Sequence, residues 1–144
     1  MTADSGAKYL PLGTYHRTLD QQVRVTIPGI WRESPTFIDD TGYIVYRRPR
    51  RLVILPHNYV QDVLKGKYKK ASRREKEDIR QFLLALHTVQ LDSRGRMVIP
   101  YDLARALEIS AGSPIVITAS GEWVEIWRKD DWERGKGIKG LFSQ

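Results

Sequence analysis

The sequence contains no cysteine. That excludes disulfide scaffolds, thiolate zinc sites, iron–sulfur clusters and cysteine nucleophiles. No apolar run approaches the ~20 residues that span a bilayer; the longest aliphatic runs are Leu52–Leu55 and Phe82–Leu86. The opening MTADSGAKYLPLG has no basic start followed by an apolar stretch, so a cytoplasmic protein without a membrane partner is expected. His16, His57 and His87 stand apart, with no i, i+3 or i, i+4 pair for a metal. No Gly-x-Ser-x-Gly elbow occurs. Residues 135–140 match Gly-x-Gly-x-x-Gly, but too little chain follows for a helix that could receive a phosphate. The expectation is a protein with no catalysis, cofactor, metal or small-molecule substrate.

What is present is an ordinary globular composition, 41% hydrophobic and 28% charged over 144 residues, enough for one core. Acid is scarce relative to base: Lys+Arg 24 against Asp+Glu 17 gives +7. The excess is local. Between Arg47 and Arg80 stand 12 Lys/Arg and 4 Asp/Glu, leaving the remainder close to neutral. One block is Arg47, Arg48, Arg50 and Arg51 around Pro49; the other runs from Lys65 to Lys76. Such runs are often a solvated face. The functional alternative is a surface facing the phosphates of an anionic partner, nucleic acid before membrane. On that reading the four arginines of the first block contact or steer phosphates and do not read bases.

The chain repeats itself at an offset of 72. Thr18-Leu19-Asp20-Gln21-Gln22-Val23-Arg24-Val25-Thr26-Ile27-Pro28 aligns with Gln90-Leu91-Asp92-Ser93-Arg94-Gly95-Arg96-Met97-Val98-Ile99-Pro100. Each copy is followed by a short apolar-spaced stretch, two strand-like runs and a polar aromatic segment. The strand-like runs are Tyr43–Tyr46 with Leu52–Leu55, and Ile115–Thr118 with Trp123–Trp127. This predicts an α+β fold of two β-β-α-β-β-α units, with 12–64 and 88–133 as the halves. A basic linker and connecting helix occupy 65–87, and a flexible tail 134–144. Ser72-x-x-Glu75 has capping-box spacing, and apolar residues then recur at helical intervals over roughly Arg73–Leu86. Trp123, Trp127 and Trp132 are expected in core or interface packing. Tyr59, Trp127 and Trp132 are expected to be exposed enough to favour self-association.

The spacing Asp-x-x-x-Arg leaves room only for a tight hairpin turn. Gly95 supplies positive φ in the second copy, whereas Val23, β-branched, requires a different geometry or strain in the first. Two readings of Asp20/Arg24 and Asp92/Arg96 stand side by side. One is a salt bridge that closes a hairpin. The other is a basic β-ribbon presented to a duplex groove, with Arg24, Arg96 and Arg94 contacting DNA and Asp20 and Asp92 orienting the guanidiniums.

These residues resemble the MraZ family of AbrB-like bacterial regulators. The likeness rests on Leu91-Asp92-Ser93-Arg94-Gly95-Arg96, Ile99-Pro100, Glu125-Ile126-Trp127 and Trp132-Glu133. In the first half it rests on Gly13, Tyr15, Thr18-Leu19-Asp20, Arg24, Ile27-Pro28 and Arg32. The first motif departs from the family at Gln22-Val23, and the N-terminus at Pro11-Leu12. The resemblance implies a pseudo-symmetric swapped-hairpin barrel within one chain. It implies double-stranded DNA as partner, ring-like homo-oligomers on repeated sites upstream of the division and cell-wall gene cluster, and a nucleoid location. A non-catalytic structural or adaptor oligomer, including one that recruits substrates to an ATPase, is the competing class.

Overall fold

The structure is a computed structural model that describes residues 10–121 and 123–140. The eight strands among the described residues fall into two groups. A six-stranded antiparallel sheet contains β1 (Leu12–Thr18), β3 (Thr41–Arg47), β4 (Arg51–Leu55), β5 (His87–Gln90), β7 (Pro114–Ser120) and β8 (Val124–Arg128). Its order is β1-β7-β8-β4-β3-β5. A two-stranded ribbon pairs β2 (Arg24–Thr26) with β6 (Arg96–Val98). The fold is thus α+β, as the repeat predicts. Among the described residues the large sheet is open, with β1 and β5 at its edges, so the hydrogen-bond ladder of a closed barrel is not present.

The β3–β4 and β7–β8 pairs are local hairpins, as their turn residues predict. The arms flanking Asp-x-x-x-Arg are not. After each tight turn they part: β1 joins β7 of the second half, β5 joins β3 of the first, and β2 meets β6. In the ribbon Val25 lies opposite Met97, the residue 72 positions on.

Burial explains the strand pattern. Leu52 and Ile54 enter the main core with Ile44, Ile117 and Ile126, while Val53 and Leu55 face a second cluster with Val45 and Val60. A strand covered on both faces needs an unbroken apolar run, and Leu52–Leu55 is one. Tyr59, Phe82, Leu86 and Trp123 close that second cluster.

The helical segments differ between halves. The first half has a 3-10 helix, Gly29–Glu33, where an α-helix is expected. Glycine weakens its start, and Pro35 drives Ser34 to the extended region (φ −86°, ψ 166°), ending it after five residues. The second half has α4 (Tyr101–Leu107), ended by Glu108 at φ 57°. Beyond β4, helix α1 (His57–Asp62), a π-helical turn (Val63–Lys67) and α2 (Tyr68–Lys70) follow without a break across the expected boundary at 64/65. Helix α3 spans Arg73–Leu84 and carries the expected capping box. The Ser72 amide donates to Glu75 Oε1 (2.8 Å), and the Glu75 amide donates to Ser72 Oγ (3.2 Å). Its end falls two residues short of Leu86 because β5 begins at His87. Helix α5 runs Lys129–Gly140 and takes in the first part of the expected 134–144 tail; 141–144 lie outside the described residues. Its Trp132 is buried and meets Trp127 edge to face (6.0 Å, 64°), so it is core and not a free surface. No described helix is long and apolar enough to cross a membrane.

Candidate nucleic-acid interface

The two Asp-x-x-x-Arg loops have the same geometry. In the first, Asp20 Oδ1 accepts from the amides of Gln22 and Arg24 (both 2.9 Å), and the Val23 amide donates to the Asp20 carbonyl (3.0 Å). In the second, Asp92 Oδ1 accepts from the amides of Arg94 and Arg96 (both 2.9 Å), and the Gly95 amide donates to the Asp92 carbonyl (2.9 Å). These are Asx-turns, the conformation aspartate favours because its short carboxylate mimics a backbone acceptor. Each loop hands a carbonyl to the other half: Gly95 O accepts from Ile27 N and Val23 O from Ile99 N. That exchange requires the residue before Arg to sit at positive φ. Gly95 does so at 77° and Val23 at 58°, so the first copy keeps the geometry and carries the strain. Val23 also packs against the core, which offsets part of the cost.

Exchanging these residues should expose the balance. Gly95→Val should lower stability by about 1–2 kcal/mol, the cost of a left-handed conformation for an L-residue. Sterics add little, since a Cβ there meets nothing closer than Arg32 Nη1 at 3.6 Å. Val23→Gly trades lost packing against relieved strain, so its denaturant midpoint should stay near that of the parent protein.

Both readings of the aspartate–arginine pairs meet at one place. Arg24 Nε donates to Asp20 Oδ2 and Arg96 Nε to Asp92 Oδ2, each at 2.8 Å. Arg24 Nη1 also lies 3.8 Å from Asp92 Oδ2, so the loops are neighbours and Arg24 divides itself between two carboxylates. The ribbon's inner face is Val25 and Met97, both fully buried. Its outer face carries Arg24, Thr26, Arg96 and Val98, with Arg94 exposed at the tip of the second loop.

The Asp92 carboxyl is held down to about 2 by the Arg96 amide; partial burial opposes this, and the Arg96 side chain and the Arg94 amide add to it. At Asp20 burial pushes upward, but the Arg24 amide and guanidinium and the Gln22 amide together outweigh it and lower the pKa. A carboxyl depressed in the folded state adds stability above its ordinary pKa and loses it on acidification. For Asp92 that window runs from the ordinary 3.8 down to about 2. Acid titration should therefore show stability falling across this range, with Asp92→Asn flattening the profile there; a parallel profile for the variant would contradict the assignment.

The arginine turn is less free than its sequence suggests. Arg51 pairs with Glu125 (3.2 Å) and lies over Trp127 (5.7 Å), and it donates to the Arg48 carbonyl. Arg50 reaches Glu108 and Asp131, both at 3.5 Å. Buried Asp131 also takes Arg128 (3.3 Å) and Arg134. Arg47 is exposed over the Phe82 ring (5.5 Å), and Arg48 is exposed. By contrast Lys65, Lys67, Lys69, Lys70, Arg73 and Arg74 are all solvent-facing and make no ion pair among the described residues. Lys67 lies over Tyr59 (5.5 Å). The histidines stay apart: His57 is buried against the Thr41 carbonyl and His87 is 3.1 Å from Asp102. Among the described residues no cluster is suited to a metal.

Sequence reasoning gave Arg32 no role at the loops. Its side chain crosses to the second loop, where Nη2 donates to the Asp92 carbonyl (2.9 Å) and Nη1 to the Ser93 carbonyl (3.3 Å). Nε and Nη2 grip Asp40 (3.0 and 3.2 Å), and this pairing raises the guanidinium pKa.

A family described as "MraZ protein, putative antitoxin-like" matches residues 82–135. The chain is 30% identical to the Transcriptional regulator MraZ of Oenococcus oeni, over 85% of this chain and 83% of that protein. The protein of the same name from Bifidobacterium longum is 27% identical, over 90% and 84%. That from Mycoplasma mycoides is 29% identical, over 91% and 98%. Among solved structures, the solution structure of PHS018 from Pyrococcus horikoshii covers 81% of this chain and 87% of its own, at 14% identity. Its TM-score is 0.32, too low to argue a shared fold.

Proposed function

The chain belongs to the MraZ family, and we propose that it is a sequence-specific DNA-binding transcriptional regulator that acts without catalysis. The supporting observation is the outer face of the β2–β6 ribbon, which carries two arginines diagonally across two short strands, each oriented by an aspartate. A two-stranded ribbon fits the major groove, and arginine's planar fork matches guanine O6 and N7 or a phosphate. Arg94 extends the same face. Arg47, Arg48 and the exposed run Lys65–Arg74 supply sequence-independent phosphate contacts, while Arg50 and Arg51 hold the turn against the second half. The relatives named above are all called transcriptional regulators, which favours a regulator over an adaptor.

We further infer that the two halves make one pseudo-symmetric swapped-hairpin unit of the AbrB-like kind, built around an open sheet. The crossed pairings β1–β7 and β3–β5, and the Val25–Met97 pair at the ribbon's centre, support it. We propose that the protein self-associates and binds repeated sites upstream of the division and cell-wall gene cluster in the nucleoid. Exposed apolar residues such as Ile30, Leu84 and Tyr101 supply contact surface for assembly. Light scattering at micromolar concentration should give a mass above the 16.7 kDa of one chain.

The deciding experiment is a salt-titrated binding assay with DNA from upstream of the protein's own gene and with random sequence. Log affinity should fall steeply with log salt, by about 0.9 per phosphate neutralised, and the upstream fragment should bind more tightly. Binding to neither fragment would reject the reading; equal binding to both would reject sequence specificity.

A further inference from the structure

The two loops share one geometry but not one support. Arg32 bridges Asp40 to the carbonyls of Asp92 and Ser93. The positions 72 residues on from Arg32 and Asp40 are Ala104 and Gly112, which have no group that could do this. Among the described residues no side chain donates to the carbonyls of Asp20 or Gln21. The first loop is moreover closed by Val23 at φ 58°, where the second has Gly95. Asp40 is itself anchored: its carbonyl accepts from the Leu91 amide (2.8 Å), immediately before the second loop.

We infer that Arg32, held by Asp40, is a positioning residue that pre-organises the 92–96 loop, so that the chain reads DNA chiefly through its second half. The inference rests on the DNA-binding reading above and deepens it. The physical reason is that a recognition loop already fixed in its bound form loses less entropy on binding. A planar, bidentate guanidinium is suited to the task because it can hold a carboxylate on one edge and backbone carbonyls on the other; lysine cannot. Arg32 thereby spans the 3-10 helix of one half and the recognition loop of the other.

Three variants separate positioning from direct contact: Arg32→Ala, Arg32→Lys and Asp40→Asn. Asp40 sits at φ 59°, which asparagine tolerates, so Asp40→Asn removes the charge that holds Arg32 and leaves the backbone alone. The first readout is amide hydrogen exchange of the full chain without DNA. Each variant should speed exchange of the Arg94 and Arg96 amides by about tenfold, the scale of losing a charge-assisted hydrogen bond, with Gln22 and Arg24 unchanged. No acceleration, or equal acceleration in both loops, overturns the inference. The second readout is binding to the upstream fragment across salt. Arg32→Ala and Arg32→Lys should both lose about tenfold in affinity at an unchanged salt slope. A slope reduced by about 0.9 in Arg32→Ala, with Arg32→Lys restoring it, makes Arg32 a phosphate contact and overturns positioning. If the unaltered protein binds neither fragment, the DNA-binding reading fails, and the exchange result alone decides whether the clamp exists.

Discussion

Arg96→Ala should weaken binding to the specific DNA site by about 1–3 kcal/mol for each base pair that Arg96 reads, roughly 5- to 150-fold, and Arg24→Ala should cost less. The asymmetry comes from what each guanidinium already does. Arg24 donates Nε to Asp20 and leans Nη1 toward Asp92, so two carboxylates compete for it. Arg96 is engaged by Asp92 alone among the described residues, through Nε, which leaves its terminal nitrogens to reach outward. Beside it stand Arg94, exposed, and Gly95, unstrained; beside Arg24 stand Gln22 and Val23. Multiple copies in an oligomer would amplify each single-site effect through avidity. Affinity for random DNA should fall much less than affinity for the site, since one phosphate contact is a small share of non-specific binding. Unchanged specific binding in Arg96→Ala, or a larger effect in Arg24→Ala, would show that the second loop does not lead recognition.

The features legible in the sequence are those set by near neighbours. The β3–β4 and β7–β8 hairpins and the Ser72–Glu75 cap depend on residues a few positions apart, and all are present. Strand partnership is not legible. Tyr15 and Arg17 alternate as strand residues do, but alternation cannot say that β1 pairs with a strand a hundred residues away. For the same reason the Asp-x-x-x-Arg arms look like hairpins in sequence, whereas their strands part to different partners. Val23 shows a second limit. Its type predicts strain or a different turn, and only the carbonyl it presents to Ile99 explains why strain prevails.

Charge is legible in amount but not in use. Arg47, Arg48, Arg50 and Arg51 are equivalent as a sequence run. Folding separates them, because Glu108, Glu125 and Asp131 arrive from the second half to take Arg50 and Arg51. Among the described residues the basic side chains from Lys65 to Arg74 form no ion pair with an acid of the second half, and they keep their exposure. Arg32 is the converse case. A single arginine after Ile30 and Trp31 gives no local signal, since one partner lies eight residues on and the loop it supports lies sixty residues away. For Trp132 the sequence leaves core packing and an exposed contact for self-association side by side; α5 settles it by folding the ring against Trp127.

Trp31→Ala should be the most damaging single change to the fold, lowering stability by about 3–5 kcal/mol, a large part of the roughly 5–15 kcal/mol typical of a small domain. Trp31 is fully buried and packs edge-on against Tyr15 (5.3 Å, 85°), and its Nε1 donates to the Leu12 carbonyl (3.2 Å). Its position makes the effect non-local. Leu12 and Tyr15 belong to β1, an edge strand that among the described residues pairs only with β7 of the other half, so Trp31 ties the first half's 3-10 helix to a strand lodged beside the second half's hairpin. Its repeat counterpart, Leu103 on α4, is also buried but is smaller and offers no hydrogen bond; Leu103→Ala should cost about 2–5 kcal/mol, nearer the lower end. Trp31→Phe restores most of the apolar packing and forfeits the bond to Leu12, so it should fall between Trp31→Ala and the parent protein. Denaturant unfolding orders the three. Should Trp31→Ala prove no worse than Leu103→Ala, the link from the 3-10 helix to β1 would not be what holds the exchanged strand in place.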